Sequence, residues 1–381
     1  MRVSSPLLSD SPLSDSLSSS PLFSGPHSGY HWRGQTSRFF EGWYFRLTLP
    51  AAAQTFAFMY SIDDPAGGTD HSGGAAQILG PNEAYYCRTF PDAQQFWAWP
   101  HKLGFGHWRS AKRSTKPALP AQHLPADDFF HQVTEGYQVC EGQHQGKLLT
   151  PAGEVKAQWH YQVTPLTSWG AKTPQATAGW LSYLPVFEPG WQVLMAHGLA
   201  SGWVDWQGDR YDFENAPAYA EKNWGGAFPS KWFWLQCNAF EAAPGLSITA
   251  VGGIRDVLSW QENVGLIGIH YQGQFYEFVS TKTALTWRVD PWGSWYMSAQ
   301  DYRYRVELVG CAPDAGAWVR VPTLEGLQWL CRDTTHGELQ LKLWSVGSDS
   351  GIGEQLLIDA SSDLAGLEVG GGPWDEVWSR A

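Results

Sequence analysis

Short stretches of alternating apolar and polar residues, separated by Gly, Pro, Asn or Asp, run through the chain from about Phe23 onward. GWYFRLTL (42–49), TFAFMYSI (55–62), QWHYQV (158–163), KWFWLQCNAF (231–240), NVGLIGIHY (263–271) and YRYRVELV (302–309) are examples. Successive side chains of a strand point to opposite faces, so a period of two predicts half-buried strands. Their wealth of Val, Ile, Tyr, Phe and Trp suits a pleated surface. No amphipathic helix longer than two turns is found. Many short strands with glycine-rich turns predict an all-β protein, antiparallel, in sandwich or barrel form. At 381 residues the chain is long enough for two such bodies. A hairpin-like segment near 206–218 leads into a second dense block of strands, which divides the chain into 23–212 and 213–381. Residues 1–22, rich in Ser and Pro, read as a disordered tail. The polar, proline-rich stretch 109–128 reads as an exposed loop, and 165–180 looks similar.

Charge excludes several functions. The 25 Lys and Arg are outnumbered by 37 Asp and Glu, and no basic run occurs, so nucleic acid is not an expected partner. Any contact with a membrane or lipid droplet is expected to be peripheral and apolar. The 15% aromatic content includes 23 Trp, which suits a deep apolar pocket or an interface belt as well as ordinary strand formation. Five cysteines lie scattered with no CxxC, as expected of free thiols in a reducing compartment. No run of 18 apolar residues and no signal- or transit-like leader is seen. The expected location is therefore intracellular, cytoplasmic or at the face of a membrane such as the thylakoid. His27 and His31 are four apart without a third ligand, so no metal is expected. No phosphate loop or nucleophile motif occurs.

An ordered set of segments carries a resemblance. It includes PHSGYH (26–31), FFEGWYFR (39–46), FAFMYS (56–61), AQILG (76–80) and APAYAEKNWGGAFPSKWFWLQCN (216–238). HYQGQFYEFV (270–279), PWGSWYMSA (291–299), CRDTTHGELQL (331–341) and EVGGGPW (368–374) continue it. Together they resemble the tocopherol cyclase family of plants and cyanobacteria, from about residue 21 to the end. The resemblance implies two lipocalin-like antiparallel β-barrels packed together. It also implies conversion of phytyl benzoquinols to γ- or δ-tocopherol without a cofactor. Glu41-Gly-Trp-Tyr44 and Tyr219-Ala-Glu-Lys-Asn-Trp-Gly225 are distantly similar to carotenoid hydratases, which also protonate an isoprenoid double bond.

Closing a chroman ring adds a phenol O–H across an alkene. It needs an acid still protonated near neutral pH, a wall that tolerates a cation, and exclusion of water. A carboxyl in an apolar pocket has its pKa raised and meets the first need. In AYAEKNWG, Tyr219, Glu221 and Asn223 share one face while Lys222 and Trp224 share the other. Glu221 pointing into a barrel lumen is the first candidate donor; a structural Glu–Lys pair at the seam is the competing reading. Glu41, on a face with Trp43, is second, with pairing to Arg46, Lys222 or a barrel-closing backbone N–H as its structural alternative. Asp205 is third, and His197 could support the acid. Trp232, Trp234, Gln236 and Asn238 form one face fit to stack a quinol and hold its hydroxyls, with Trp43, Trp224 and Tyr60 as further aromatic contacts. The rival functions are a prenylquinol carrier, which needs no ionisable group in its pocket, and a carotenoid end-group hydratase.

Overall fold

The computed structural model describes residues 24–35, 37–110, 123–183, 189–257, 260–347 and 354–380. The Ser/Pro-rich tail and most of the proline-rich loop, 111–122, lie outside the described residues.

The fold is all-β and is built on two antiparallel sheets. The first contains β1 (Phe40–Leu49), β2 (Gln54–Asp63), β3 (Gly73–Gly80), β4 (Ala84–Phe90), β5 (Trp97–Ala98) and β6 (Gly104–Ser110). It continues with β7 (Val133–Cys140), β8 (Gln143–Leu149), β9 (Val155–Thr167), β10 (Gly190–Trp206) and β11 (Asp209–Gly225). Its order is β4-β3-β2-β1-β11-β10-β9-β8-β7-β6-β5. The second contains β12 (Lys231–Cys237), β13 (Ser247–Val257), β14 (Trp260–Tyr271), β15 (Gln274–Val279), β16 (Ala284–Val289) and β17 (Ser294–Gln300). It ends with β18 (Tyr304–Cys311), β19 (Ala317–Thr323), β20 (Gly326–Ser345), β21 (Gln355–Gly371) and β22 (Trp378–Arg380). Its order is β15-β14-β13-β12-β21-β20-β18-β17-β16-β22, with β19 beside β20. A short α-helix of about two turns, Ala126–Gln132, lies in the connection between β6 and β7.

Each sheet curls on itself. In the first, Tyr60 of β2 packs on Tyr137 of β7 with ring centroids 4.5 Å apart, and the Arg88 Nε of β4 donates to Glu135 of β7 at 2.6 Å. In the second, Arg380 of β22 donates to the Asn263 carbonyl of β14 at 2.9 Å. The inside of the first body is packed solid with Trp43, Phe45, Phe58, Phe105, Trp159 and their neighbours. Emptying one of these positions to Ala would cost about 3–5 kcal/mol. The inside of the second body is equally filled, around Phe233, Trp287 and Trp295. Neither interior is a lumen, so the place expected for Glu221 does not exist.

The bodies meet through the outer faces of β1, β10 and β11 against β12, β20 and β21. Tyr44, Tyr219 and Trp234 pack there with Trp169, Val193 and Leu266. The change of sheet falls between Gly225 and Lys231, after the 212/213 division read from the sequence, because the whole of β11 pairs with β1 and β10. The stretch 165–180 also departs from its reading as an exposed loop. Trp169 is buried and its indole N–H donates to Glu277 of β15 at 2.9 Å, so this segment straps the two bodies together.

Candidate active site

A cavity of about 400 Å³ lies between the two sheets. Trp191 of β10 and Glu221 and Asn223 of β11 line it from the first body; Trp232, Trp234 and Glu368 line it from the second. The strap, from Gln175 to Trp180, forms part of its rim.

Glu221 is one of three carboxyls that line this cavity, with Glu277 and Glu368. Strand alternation turns Glu221 outward from the first body together with Asn223, while Tyr219 lies one step along the same face. The Tyr219 hydroxyl donates to Glu221 Oε2 at 2.7 Å, and the Trp234 indole N–H donates to the same oxygen at 3.1 Å. No basic side chain pairs with it among the described contacts. Burial pushes its pKa up to about 7, with the charge of Glu368 adding to the rise and the Tyr219, Trp191 and Trp234 donors opposing it. A carboxyl raised this far is about half protonated at neutral pH, and this one has an apolar wall beside it.

The opposite face of the same strand behaves differently. Lys222 and Trp224 turn towards the first body, where Lys222 forms an ion pair with Glu41 that is wholly buried on both sides. The His31 backbone N–H donates to Glu41 Oε2 at 2.9 Å, and the His31 Nδ1 lies 3.3 Å from Oε1. Lys222 also donates to the Gly29 carbonyl at 2.8 Å and lies over the Trp43 ring at 5.5 Å. Trp224 stacks on His31 with centroids 4.0 Å apart. Burial alone would raise Glu41, but the Lys222 ammonium and the His31 contacts hold it below the usual carboxylate range. Glu41 therefore sits ionised outside the cavity. The structural alternative weighed for it, pairing with Lys222, is the one the geometry displays.

The remaining predicted residues separate. Gln236 is buried under Arg46, which donates to its Oε1 at 3.1 Å. Trp43 and Tyr60 belong to the packed interior of the first body. His197 and Asn238 line a different cleft of about 1130 Å³ at the other end of the inter-sheet seam. Burial, and then nearby His270, push His197 down to about 4, so it is neutral near pH 7, and it lines the other cleft, apart from Glu221. Asp205 stands at the far end of the β10–β11 hairpin, in register with Arg210 and away from both walls of the cavity. Trp224 reaches Lys222 and His31, as above. Tyr219, Glu221, Asn223, Trp232 and Trp234 are the predicted residues that come together.

Sequence reasoning missed Trp191, the strap and Glu368. Glu368 had a signal: it is a carboxyl on a strand face otherwise occupied by Gly366 and Gly370. Those glycines exist for the indoles, since a Cβ at Gly370 would lie 2.0 Å from the Trp232 ring and one at Gly366 2.7 Å from that of Trp234. Among the described residues no group of three or more His, Cys, Asp and Glu could hold a metal ion, and no helix is long and apolar enough to cross a membrane.

Known proteins share this chain's sequence far beyond the site. Tocopherol cyclase, chloroplastic, of Zea mays is 42% identical over 377 residues, covering 93% of this chain and 79% of that protein. The protein named "Probable tocopherol cyclase, chloroplastic" of Oryza sativa subsp. japonica is 41% identical over 378 residues, covering 93% and 80%. Among solved structures, the crystal structure of kievitone hydratase from Nectria haematococca aligns with a TM-score of 0.46 at 10% identity, covering 93% of each chain. Residues 37–371 match the family described as tocopherol cyclase-like. With that match spanning most of the sequence, and with both plant relatives far above the identity at which kinship is in doubt, the chain belongs to the tocopherol cyclase-like family.

Proposed function

We propose that this chain closes the chroman ring of phytyl benzoquinols, with Glu221 as the proton donor. The observation that carries the reading is a buried carboxyl with a raised pKa, held by a phenol and indoles, in a cavity walled by tryptophan. Glu221 protonates the alkene carbon that leaves a tertiary cation on its neighbour, and the phenol oxygen captures that cation. Substrate and product are isomers, so the reaction requires no redox partner and no group donor. The Trp232, Trp234 and Trp191 rings face the cation without offering a nucleophile, and each desolvated cation–π contact is worth about 2 kcal/mol. Asn223 is placed to hydrogen-bond a quinol hydroxyl. At the rim, Trp180 is 72% exposed and nearby Tyr183 63% exposed, an amphipathic lip past which a lipid-borne chain would thread from a membrane surface. A carrier would need the walls but not the buried acid.

The test is incubation of the purified protein with a phytyl benzoquinol, without added cofactor, and detection of chroman. Glu221→Gln is expected to lower kcat by at least about 100-fold, the ordinary contribution of a positioned acid, with substrate binding kept. Full turnover in this variant would remove Glu221 from the role. An alcohol as the product, in place of a ring, would instead indicate a hydratase.

A further inference from the structure

We propose that Glu368 is the second carboxyl of the reaction, the group that takes the phenol proton while Glu221 gives one to the chain. This rests on the cyclase reading above and adds to it a base on the facing wall.

The geometry is paired. Trp232 and Trp234 lie two apart on β12 and share a face. Each directs its indole N–H at one carboxyl: Trp234 at Glu221 of the first body, 3.1 Å, and Trp232 at Glu368 of the second. Glu368 stands directly across from Trp234 in the β12–β21 register, and Trp232 across from Gly370. The absence of a side chain at Gly370 lets the Trp232 ring lie flat on β21, with its N–H at the Glu368 carboxyl. Both carboxyls line the one cavity, from opposite sheets.

The groups around Glu368 bear on which acid keeps the proton. From β20 it faces Asp333, its cross-strand partner, and the Cys331 thiol, which bonds to it. From β11 it faces Glu221, and Tyr44 of β1 also feels its charge. Burial raises Glu368, and the Trp232 and Cys331 donors oppose that rise. Burial first, and then the Glu368 charge, push both Glu221 and Asp333 up. Glu368, with the Trp232 indole and the Cys331 thiol donating to it, is assigned the base, and Glu221 on the facing wall the acid.

The chemistry needs both. The Glu221 O–H breaks as a C–H bond forms on the alkene, leaving a tertiary cation. The phenol oxygen forms its bond to that carbon, its O–H breaks, and the proton passes to the Glu368 carboxylate. The cycle ends with Glu221 ionised and Glu368 protonated; transfer of that proton back across the cavity restores the start with no net uptake or release.

The experiment measures kcat and KM against pH for the full chain and for Glu368→Gln, Glu368→Asp and Glu221→Gln, with a phytyl benzoquinol. Glu368→Gln is expected to lower kcat about 100-fold with KM within about threefold. The wild type loses activity on the acid side as the base protonates, and that loss should vanish in the Gln variant. Glu368→Asp, which keeps a base, should recover at least tenfold over Gln and keep the acid-side loss. Thermal unfolding and quenching of tryptophan fluorescence by phytyl benzoquinone report whether each variant folds and binds. If Glu368→Gln does not fold, Glu368→Asp decides, since a folded, substrate-binding Asp variant that keeps its turnover but has no acid-side loss would overturn the proposal. A Glu368→Gln kcat within twofold of wild type, or one lowered with the acid-side loss intact, would overturn it as well. Loss of turnover in Glu221→Gln beside normal Glu368→Gln removes only this inference; full turnover in Glu221→Gln removes the cyclase acid and this inference together.

Discussion

Two glutamates on one pair of strands meet opposite fates. Glu41 of β1 and Glu221 of β11 are both buried, and β1 and β11 are direct neighbours, with Tyr44 across from Glu221. Glu41 looks into the first body, meets Lys222 and is held ionised. Glu221 looks into the space between the bodies and meets no cation, and burial lifts its pKa to about 7 against the pull of three neutral donors. The step from residue 221 to residue 222 along a single strand crosses from one environment to the other. Burial alone is therefore not what makes an acid. Both carboxyls lose water, and what differs is whether a cation or a set of dipoles replaces it.

The largest expected effect comes from removing the cation. Lys222→Met leaves Glu41 buried with no counter-charge and should destabilise the protein by about 3–5 kcal/mol, read from denaturant unfolding. Adding Glu41→Leu to that variant should return most of the loss, because an apolar pair of similar size no longer carries the penalty of a lone charge. A midpoint for Lys222→Met equal to that of the wild type would mean that the pair is not what fixes this end of the body.

Glu221→Gln should do the reverse, and only at higher pH. The folded protein keeps the Glu221 proton up to about pH 7, against 4.5 for an unperturbed side chain. Between those values the folded state binds more protons than the unfolded chain, so wild-type stability falls as pH rises through that window. The Gln variant is spared that fall. Its advantage should be absent below about pH 4.5, grow across the window and level off above pH 7, with a ceiling of about 3 kcal/mol. Unfolding curves of both proteins at a series of pH values would show it; a stability difference that does not change with pH would place the carboxyl in contact with water.

Much of this contrast was legible in the sequence, because strand alternation is local geometry that no tertiary contact alters. The alternation gave the all-β class, placed Tyr219, Glu221 and Asn223 on one face and Lys222 and Trp224 on the other, and set Trp232 beside Trp234. What alternation cannot give is which face looks inward. β1 is buried on both sides, and so is the latter half of β11, so the two faces carry no polarity difference to read. The cavity between the bodies was therefore mistaken for a lumen. The division at 212/213 fell inside β11 for a related reason: its first half, from Asp209 to Asn215, is polar and mostly exposed, so the change in composition lies within one strand. Glu368 was hidden in a glycine-rich run whose reason is visible only once the indoles lying on it are placed.

The smallest effect tests the dipoles themselves. Tyr219→Phe removes one donor to Glu221 and leaves the indoles of Trp234 and Trp191. A hydrogen bond to a carboxylate favours the ionised form, so its loss should raise the Glu221 pKa further. With a buried hydrogen bond worth about 1 kcal/mol, the pH at which activity falls on the alkaline side should move up by less than about one unit. The movement should be upward and modest, since burial, the largest cause of the raised pKa, is untouched by removing a hydroxyl. A shift downward would mean that the phenol stabilises the protonated acid, for instance by accepting its O–H. The contrast between the two glutamates would then rest on the hydrogen-bonding direction of a single tyrosine, in place of the absence of a cation.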